Sequence, residues 1–269
     1  MSLVSALREI KRKEKEAASR SHIVLIPSFN TGAKLFETVA QARSFWEPVL
    51  VVVDGSTDGS SASLLRVAAD DPGLRVLVLA CNRGKGAAVL EGLRLAHAEG
   101  FTHALTMDAD GQHPASLIPE FMALSSAYPE AMILGRPIFD KTAPRVRVHG
   151  RRISNGLVNL KTLWAGIGDA LCGFRVYPIP TLKRIMESTR WMRGFDFDGE
   201  AAVRLVWAGV PPISRSVPVK YFRPDEGGVS HFHYVRDNVA LSWMHARLMV
   251  ELGFHIPALL ARGAKSSPR

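Results

Sequence analysis

The chain has 269 residues, of which 47% are hydrophobic and 22% charged; that is enough for a large core, in one large domain or two small ones. Its 34 Lys+Arg against 25 Asp+Glu leave a net charge of +9, which favours phosphorylated substrates or anionic lipid surfaces. No RNP-like or zinc-finger pattern accompanies that charge, so nucleic acid is not an expected partner, and two cysteines in no metal spacing, Cys81 and Cys172, fit a reducing compartment without disulfides.

Residues 1–20 read as a charged helix with a narrow apolar stripe of Leu3, Leu7 and Ile10. They lack the long apolar core and cleavage site of a secretory signal. No run of about 18 apolar residues occurs anywhere in the chain. A cytoplasmic chain is expected, with peripheral attachment to the cytoplasmic face of a membrane as its membrane-associated form.

From residue 22 the pattern alternates. Strands are read at 22–26, 49–53, 74–79 and 104–107, and helices at 34–44, 60–69 and 87–99. The strands are nearly continuous Val, Ile and Leu, the mark of strands buried on both faces. The expected fold class is therefore α/β, with a mostly parallel, Rossmann-like sheet flanked by helices. Ligands of such sheets bind beyond the carboxyl ends of the strands, and the polar loops of this chain fall there.

After Pro119 the alternation weakens. A strand is read at 131–135, a basic loop at 140–152, a helix at 153–165, a strand at 169–177, a helix at 199–208 and a strand at 216–221. Residues 235–260 form an apolar-rich helical stretch. No linker or internal repeat is evident. The organisation read is a charged N-terminal helix (1–20), one catalytic domain (21–233) and a helical C-terminal tail (234–269).

The stretch Leu105-Thr106-Met107-Asp108-Ala109-Asp110-Gly111-Gln112-His113-Pro114 carries the chemistry. Two carboxylates spaced i, i+2 share a face if the strand persists. Hard oxygen ligands with few other protein groups suit Mg²⁺ or Mn²⁺, whose shell is then completed by substrate phosphates. The same residues also suit an ordinary Asp-rich turn.

Four motifs end successive strands: Pro27-Ser28-Phe29-Asn30, Asp54-Gly55-Ser56-Thr57-Asp58, Asn82-Arg83-Gly84-Lys85-Gly86 and Asp108-Ala109-Asp110. In this order they resemble the family 2 inverting glycosyltransferases of GT-A fold. Cys172-Gly173-Phe174-Arg175 and Gly228-Val229-Ser230-His231 look closest to the dolichol- and polyprenol-phosphate sugar synthases. The resemblance spans roughly residues 22–233.

The resemblance implies a nucleotide-diphosphate sugar as donor, held by Pro27, Phe29, Asn30, Asp54, Gly55, Gly84, Lys85, Asp108, Ala109 and Asp110. It implies a divalent metal, Mg²⁺ or Mn²⁺, on Asp108, Asp110 and Gln112. It also implies a lipid-linked acceptor, with Arg151, Arg152, Arg175 and His231 at an acceptor phosphate. The family usually has two adjacent acids where this chain has Val53-Asp54, which leaves the base open. Asp198 lies nearest the position of a general base, and Glu200 matches an acid of the polyprenol-phosphate branch. Acids there equally suit the start of a helix. A polyprenyl phosphate needs no strong base, whereas a hydroxyl acceptor needs one. The rivals are a sugar-phosphate nucleotidyltransferase, which would carry a Gly- and Arg-rich first loop where this chain has Pro-Ser-Phe-Asn, and a catalytically silent nucleotide-sugar-binding, membrane-associated scaffold.

Overall fold

β-Branched runs make strands here because their side chains pack well on a pleated surface. In the computed structural model, which describes residues 18–139, 145–219 and 233–266, seven strands form one sheet. They are β1 (His22–Ser28), β2 (Val49–Asp54), β3 (Leu74–Leu79), β4 (His103–Thr106), β5 (Met132–Phe139), β6 (Arg175–Pro178) and β7 (Pro212–Val219), in the order β3-β2-β1-β4-β6-β5-β7. The helices are α1 (Ala33–Phe45), α2 (Ser60–Ala69), α3 (Lys85–Ala98), α4 (Ile118–Ala127), α5 (Arg145–Lys161), α6 (Ile179–Glu187), α7 (Phe197–Trp207) and α8 (Tyr234–Ser266).

Alternation along each strand sorts its side chains into two cores. Ile23, Leu25, Leu50 and Val52 pack with α3, α6, α7 and α8. Val24, Ile26, Val49, Val51 and Val53 pack with α1, α2 and α4. Burying one such side chain contributes roughly 1.5–3 kcal/mol. A one-residue slip would send each strand's set to the wrong core, so the register is fixed.

The chain starts in mid-sheet. It steps outward through β2 to β3, then returns to place β4 on the other side of β1, all four parallel. The reversal leaves a crevice between the carboxyl ends of β1 and β4, where ligands of open sheets bind.

The second half departs from the expected pattern. β6 is antiparallel to both β4 and β5, while β5 and β7 are parallel. The strand expected at 169–177 shortens to Arg175–Pro178, because the chain reaches β6 through a loop rather than a crossover helix. Two helices, α4 and α6, were not anticipated. Each carries a proline in its first turn, where the missing N–H costs nothing and the fixed φ suits a helix. The segment read as a basic loop is helical from Arg145, so Arg151 and Arg152 lie on α5. α8 packs Met244, Leu248 and Leu252 into the first core. Most of the helix read at 1–20, Lys141, and the motif Gly228 to His231 lie outside the described residues.

Candidate active site

β1, β2 and β4 deliver their terminal loops to one cleft of about 1240 Å³, roofed by α5 and α8. On its donor side the loops brace each other. Asn30 donates its backbone N–H to Ser56 Oγ at 3.0 Å and accepts the Thr57 N–H at 2.7 Å. Asn30 and Gly55 do not line the cleft; they fix the loops that do. Gly55 has φ +66°, and a side chain there would overlap the backbone of Cys81 and Asn82.

Asp54 lines the cleft but is almost fully buried. Its carboxylate accepts the backbone N–H groups of Arg83 at 3.0 Å and Gly84 at 2.8 Å. Burial raises its pKa against those two backbone donors. The acid that the resemblance gives to the nucleoside thus also clamps the loop opening α3. Gly84 and Gly86 make their close approaches to the backbone of Arg193 and Met192.

The strand does not persist to the aspartates. β4 ends at Thr106, so Asp108 and Asp110 converge through a turn rather than a pleat. Asp110 Oδ1 accepts the Gln112 N–H at 3.0 Å, and Thr38 Oγ1 donates to the Ala109 carbonyl at 3.1 Å. Lys85, first residue of α3, reaches Asp108 Oδ1 at 2.6 Å and Asp198 Oδ2 at 2.7 Å. Burial alone would raise Asp108, but the Lys85 ammonium, together with His113 and Arg175, holds the carboxyl below its usual range. Asp110 has no such partner among the described residues; burial and then the Asp108 charge push it up to about 7. Asp198 Oδ1 is buried without a hydrogen-bond partner among the described residues.

These residues fit a divalent cation. Asp108, Asp110 and the Gln112 amide offer hard oxygens, and among the described residues only Lys85 lies within ion-pair distance of the Asp108 and Asp198 carboxylates. No cluster of three His, Cys, Asp or Glu occurs among the described residues, so the remaining ligands would be donor phosphates and water.

The acceptor side differs from expectation. Arg151 lines the cleft and pairs with buried Asp169 at 2.5 Å. Arg152 is exposed and off the cleft. Arg175 does not reach the cleft either. It is fully buried and donates to the carbonyls of Asp198 at 2.6 Å and Asp169 at 3.0 Å, and to Tyr177 Oη at 3.1 Å. It braces the two acid-bearing segments from beneath, so an acceptor clamp is not its place. Glu200 is likewise fully buried, paired with Arg204 at 2.6 Å and Arg247 at 2.5 Å. It ties α7 to α8. His231 lies outside the described residues; His233 is at the rim.

Asn82, of the third motif, and Phe195 and Asp196, which open the acid-bearing segment at the start of α7, line the cleft, and three further lining residues escaped the sequence reading: Ser154, Leu241 and His245. The last two had a signal. Asp237, Leu241 and His245 succeed one another at i, i+4 and i+8, which puts them on one helix face, in a segment read as a tail.

Comparison with known proteins agrees with this geometry. The profile of Glycosyl transferase family 2 matches residues 23–186. The undecaprenyl-phosphate mannosyltransferase of Micrococcus luteus is 26% identical over 219 residues, 76% of this chain and 85% of that protein. The polyprenol monophosphomannose synthase of Mycolicibacterium smegmatis is 28% identical over 214 residues, 77% of this chain and 79% of that protein. The chain spans only 50% of a third relative, the undecaprenyl-phosphate 4-deoxy-4-formamido-L-arabinose transferase of Edwardsiella ictaluri, at 31% identity over 61% of this chain. S. aureus TarS 1-349 in complex with UDP-GlcNAc shares the fold, with a TM-score of 0.53 and 15% identity over 88% of this chain and 66% of that one. The mixed sheet with its switch-point cleft is thus of GT-A type, and the chain belongs to glycosyl transferase family 2 and is a glycosyltransferase.

Proposed function

We propose that the enzyme transfers a sugar, with inversion, from a nucleotide-diphosphate sugar to a polyprenyl phosphate, using Mg²⁺ or Mn²⁺. The supporting observation is the state of Asp198. One of its oxygens is held by the Lys85 ammonium at 2.7 Å, and Arg175 donates to its backbone carbonyl. That oxygen is occupied by the ammonium and is not free to receive the proton of an acceptor hydroxyl. A phosphate monoester has a second pKa of about 6, so it arrives at pH 7 already ionised and needs no base. The names of the relatives, which are polyprenyl-phosphate sugar transferases, point the same way.

In this reading the loops after β1 and β2 hold the nucleoside. Asp108, Asp110 and Gln112 hold the cation, which when bound neutralises the diphosphate leaving group. Lys85 keeps Asp108 ionised and lies beside that diphosphate. Arg151 orients the acceptor phosphate from α5. The task of the site is positioning and charge cancellation.

The lipid tail leaves the cleft between α5 and α8, and α8 is apolar outside it. Val235, Val239, Trp243, Val250 and Phe254 form one exposed stripe on α8, with Phe254 84% exposed; Trp164, in the turn after α5, is exposed as well. No helix among the described residues is long and apolar enough to cross a membrane. A peripheral surface anchored on anionic lipid suits this stripe and the +9 charge.

The second reading, a hydroxyl acceptor, is favoured by the unpartnered Asp198 Oδ1. A panel of nucleotide sugars, assayed with and without Mn²⁺ on a polyprenyl phosphate and on the matching polyprenol, separates the two. For phosphate, Asp198→Asn keeps most of the activity. A loss of about 10²-fold or more in that variant, or transfer to the alcohol alone, overturns the phosphate reading.

A further inference from the structure

Behind the acceptor wall, α5 and α8 are joined by a buried polar chain. Ser154 and Lys161, seven residues apart, share a face of α5, and His245 of α8 lies between them. His245 Nδ1 is 2.6 Å from Lys161 Nζ, and its Nε2 is 2.9 Å from Ser154 Oγ. Lys161 is fully buried with no carboxylate partner among the described residues. It is the last residue of α5, where the helix dipole favours a cation.

The chemistry fixes the direction of this chain. Burial lowers Lys161 to about 8, so it remains an ammonium at pH 7, and burial and then Lys161 lower His245 to about 4, so the ring is neutral. An ammonium only donates. His245 Nδ1 therefore accepts, Nε2 carries the ring proton, and that proton goes to Ser154 Oγ. The Ser154 hydroxyl then has its own proton to give, and Ser154 and His245 line the cleft beside Arg151 and Leu157. The other charged groups nearby are already paired: Arg151 with Asp169, and Asp237 with Arg236.

We infer that Lys161 and His245 are positioning residues for the acceptor: they turn the Ser154 hydroxyl proton into the cleft and back it with a buried positive charge, so that Ser154 donates to an anionic oxygen of a phosphate monoester. This deepens the proposed function and rests on its phosphate acceptor. The shared chemistry is the phosphate group, whether on a lipid or free.

Calorimetric titration of the full chain with citronellyl phosphate, inorganic phosphate and citronellol tests it, in the wild type and in Lys161→Met, Ser154→Ala, Ser154→Thr and the Lys161→Met/Ser154→Ala double variant. Lys161 has no carboxylate partner among the described residues, so an apolar residue of similar length leaves no buried carboxylate uncompensated, and the melting midpoint checks the fold. Lys161→Met and Ser154→Ala are each expected to weaken citronellyl phosphate tenfold or more. Ser154→Thr stays within threefold, and the double variant is no weaker than the worse single one, because both act through one chain. Inorganic phosphate bound with the same sensitivity supports the relay as an anion site and separates it from the lipid. Unchanged citronellyl phosphate binding in a folded Lys161→Met overturns the relay and leaves the acceptor reading standing. Citronellol bound as tightly as its phosphate by the wild type overturns both.

Discussion

Gly173 lies against Asp108 so closely that a single methyl group on its Cα would overlap the carboxylate. Its backbone is not left-handed, so alanine carries no conformational strain there. Gly173→Ala should therefore displace Asp108 without unfolding the chain. A displacement of about 1 Å at such a group costs on the order of 10²-fold in rate. Steady-state transfer with a melting curve checks it: the expected result is a loss of that order with the melting midpoint nearly unchanged.

Asp110 stands beside a second negative charge, and burial and that charge push it up to about 7; in the proposed metal site a bound cation would offset the repulsion. Asp110→Asn removes that repulsion, so the metal-free protein should melt no lower than wild type while losing Mn²⁺ binding and transfer. Titration followed by Mn²⁺ paramagnetic resonance reads the binding directly. Equal Mn²⁺ binding by the variant, or transfer indifferent to EDTA, would remove Asp110 from the metal site.

Lys85 is the only positive group within ion-pair distance of Asp108 and Asp198 among the described residues. Lys85→Met leaves both carboxylates uncompensated, which for buried pairs costs about 3–5 kcal/mol. The variant should melt well below wild type in EDTA and recover part of the difference in Mn²⁺, because the metal replaces the lost charge at Asp108. No recovery would mean that the cation does not reach that carboxylate.

Acid sensitivity arises at two buried histidines, one remote from the cleft and one in its wall. His22 stacks on His103 with centroids 4.6 Å apart, and its ring bonds Ser21 and Ser125. Burial, then the neighbouring His103, lowers His22 to about 4; His245 is lowered to about 4 as well. Each is held neutral in the fold and takes up its proton more readily when unfolded. Their contribution is complete above about 6.5 and is lost as the pH falls towards 4. Melting curves from pH 7 to 4.5 should show a steady decline, shallower in His22→Gln. A slope unaltered by that substitution would assign the decline to other groups.

The apolar stripe of α8 gives the last prediction. Val250→Glu with Phe254→Glu puts two charges on an exposed face of α8. Folding and transfer to a water-soluble short-chain phosphate should be unchanged, while flotation with anionic liposomes at low salt is lost. Wild-type protein that does not float would end the membrane reading.

The first half of the fold was legible because its cue is strong and local: uninterrupted Val and Leu runs, each closing on a polar loop. The second half was not. Pro119 marks where the alternation weakens in sequence, yet it and Pro180 each sit in the first turn of a helix, a placement set by the residues C-terminal to the proline rather than by the proline itself. The converging loops of the donor side were legible from their spacing. The burial of Arg175 and Glu200 was not, since an arginine or glutamate in a polar motif looks the same in sequence whether it faces a ligand or a neighbouring backbone. The Lys161–His245 pair joins two helices 84 residues apart, and no local pattern announces it.

The reversed strand β6 has a consequence for how the enzyme is made. It brings the Gly173 carbonyl to the Thr106 hydroxyl across 67 residues of chain. The acidic loop therefore leaves the ribosome well before the wall that shapes it. At about 5–20 residues per second, the nascent chain carries Asp108 and Asp110 for several seconds against an unfinished pocket, with β1 to β4 already able to pair among near neighbours. Donor binding is thus a late property of the newborn protein, and co-translational donor capture should begin only once β6 has emerged and docked.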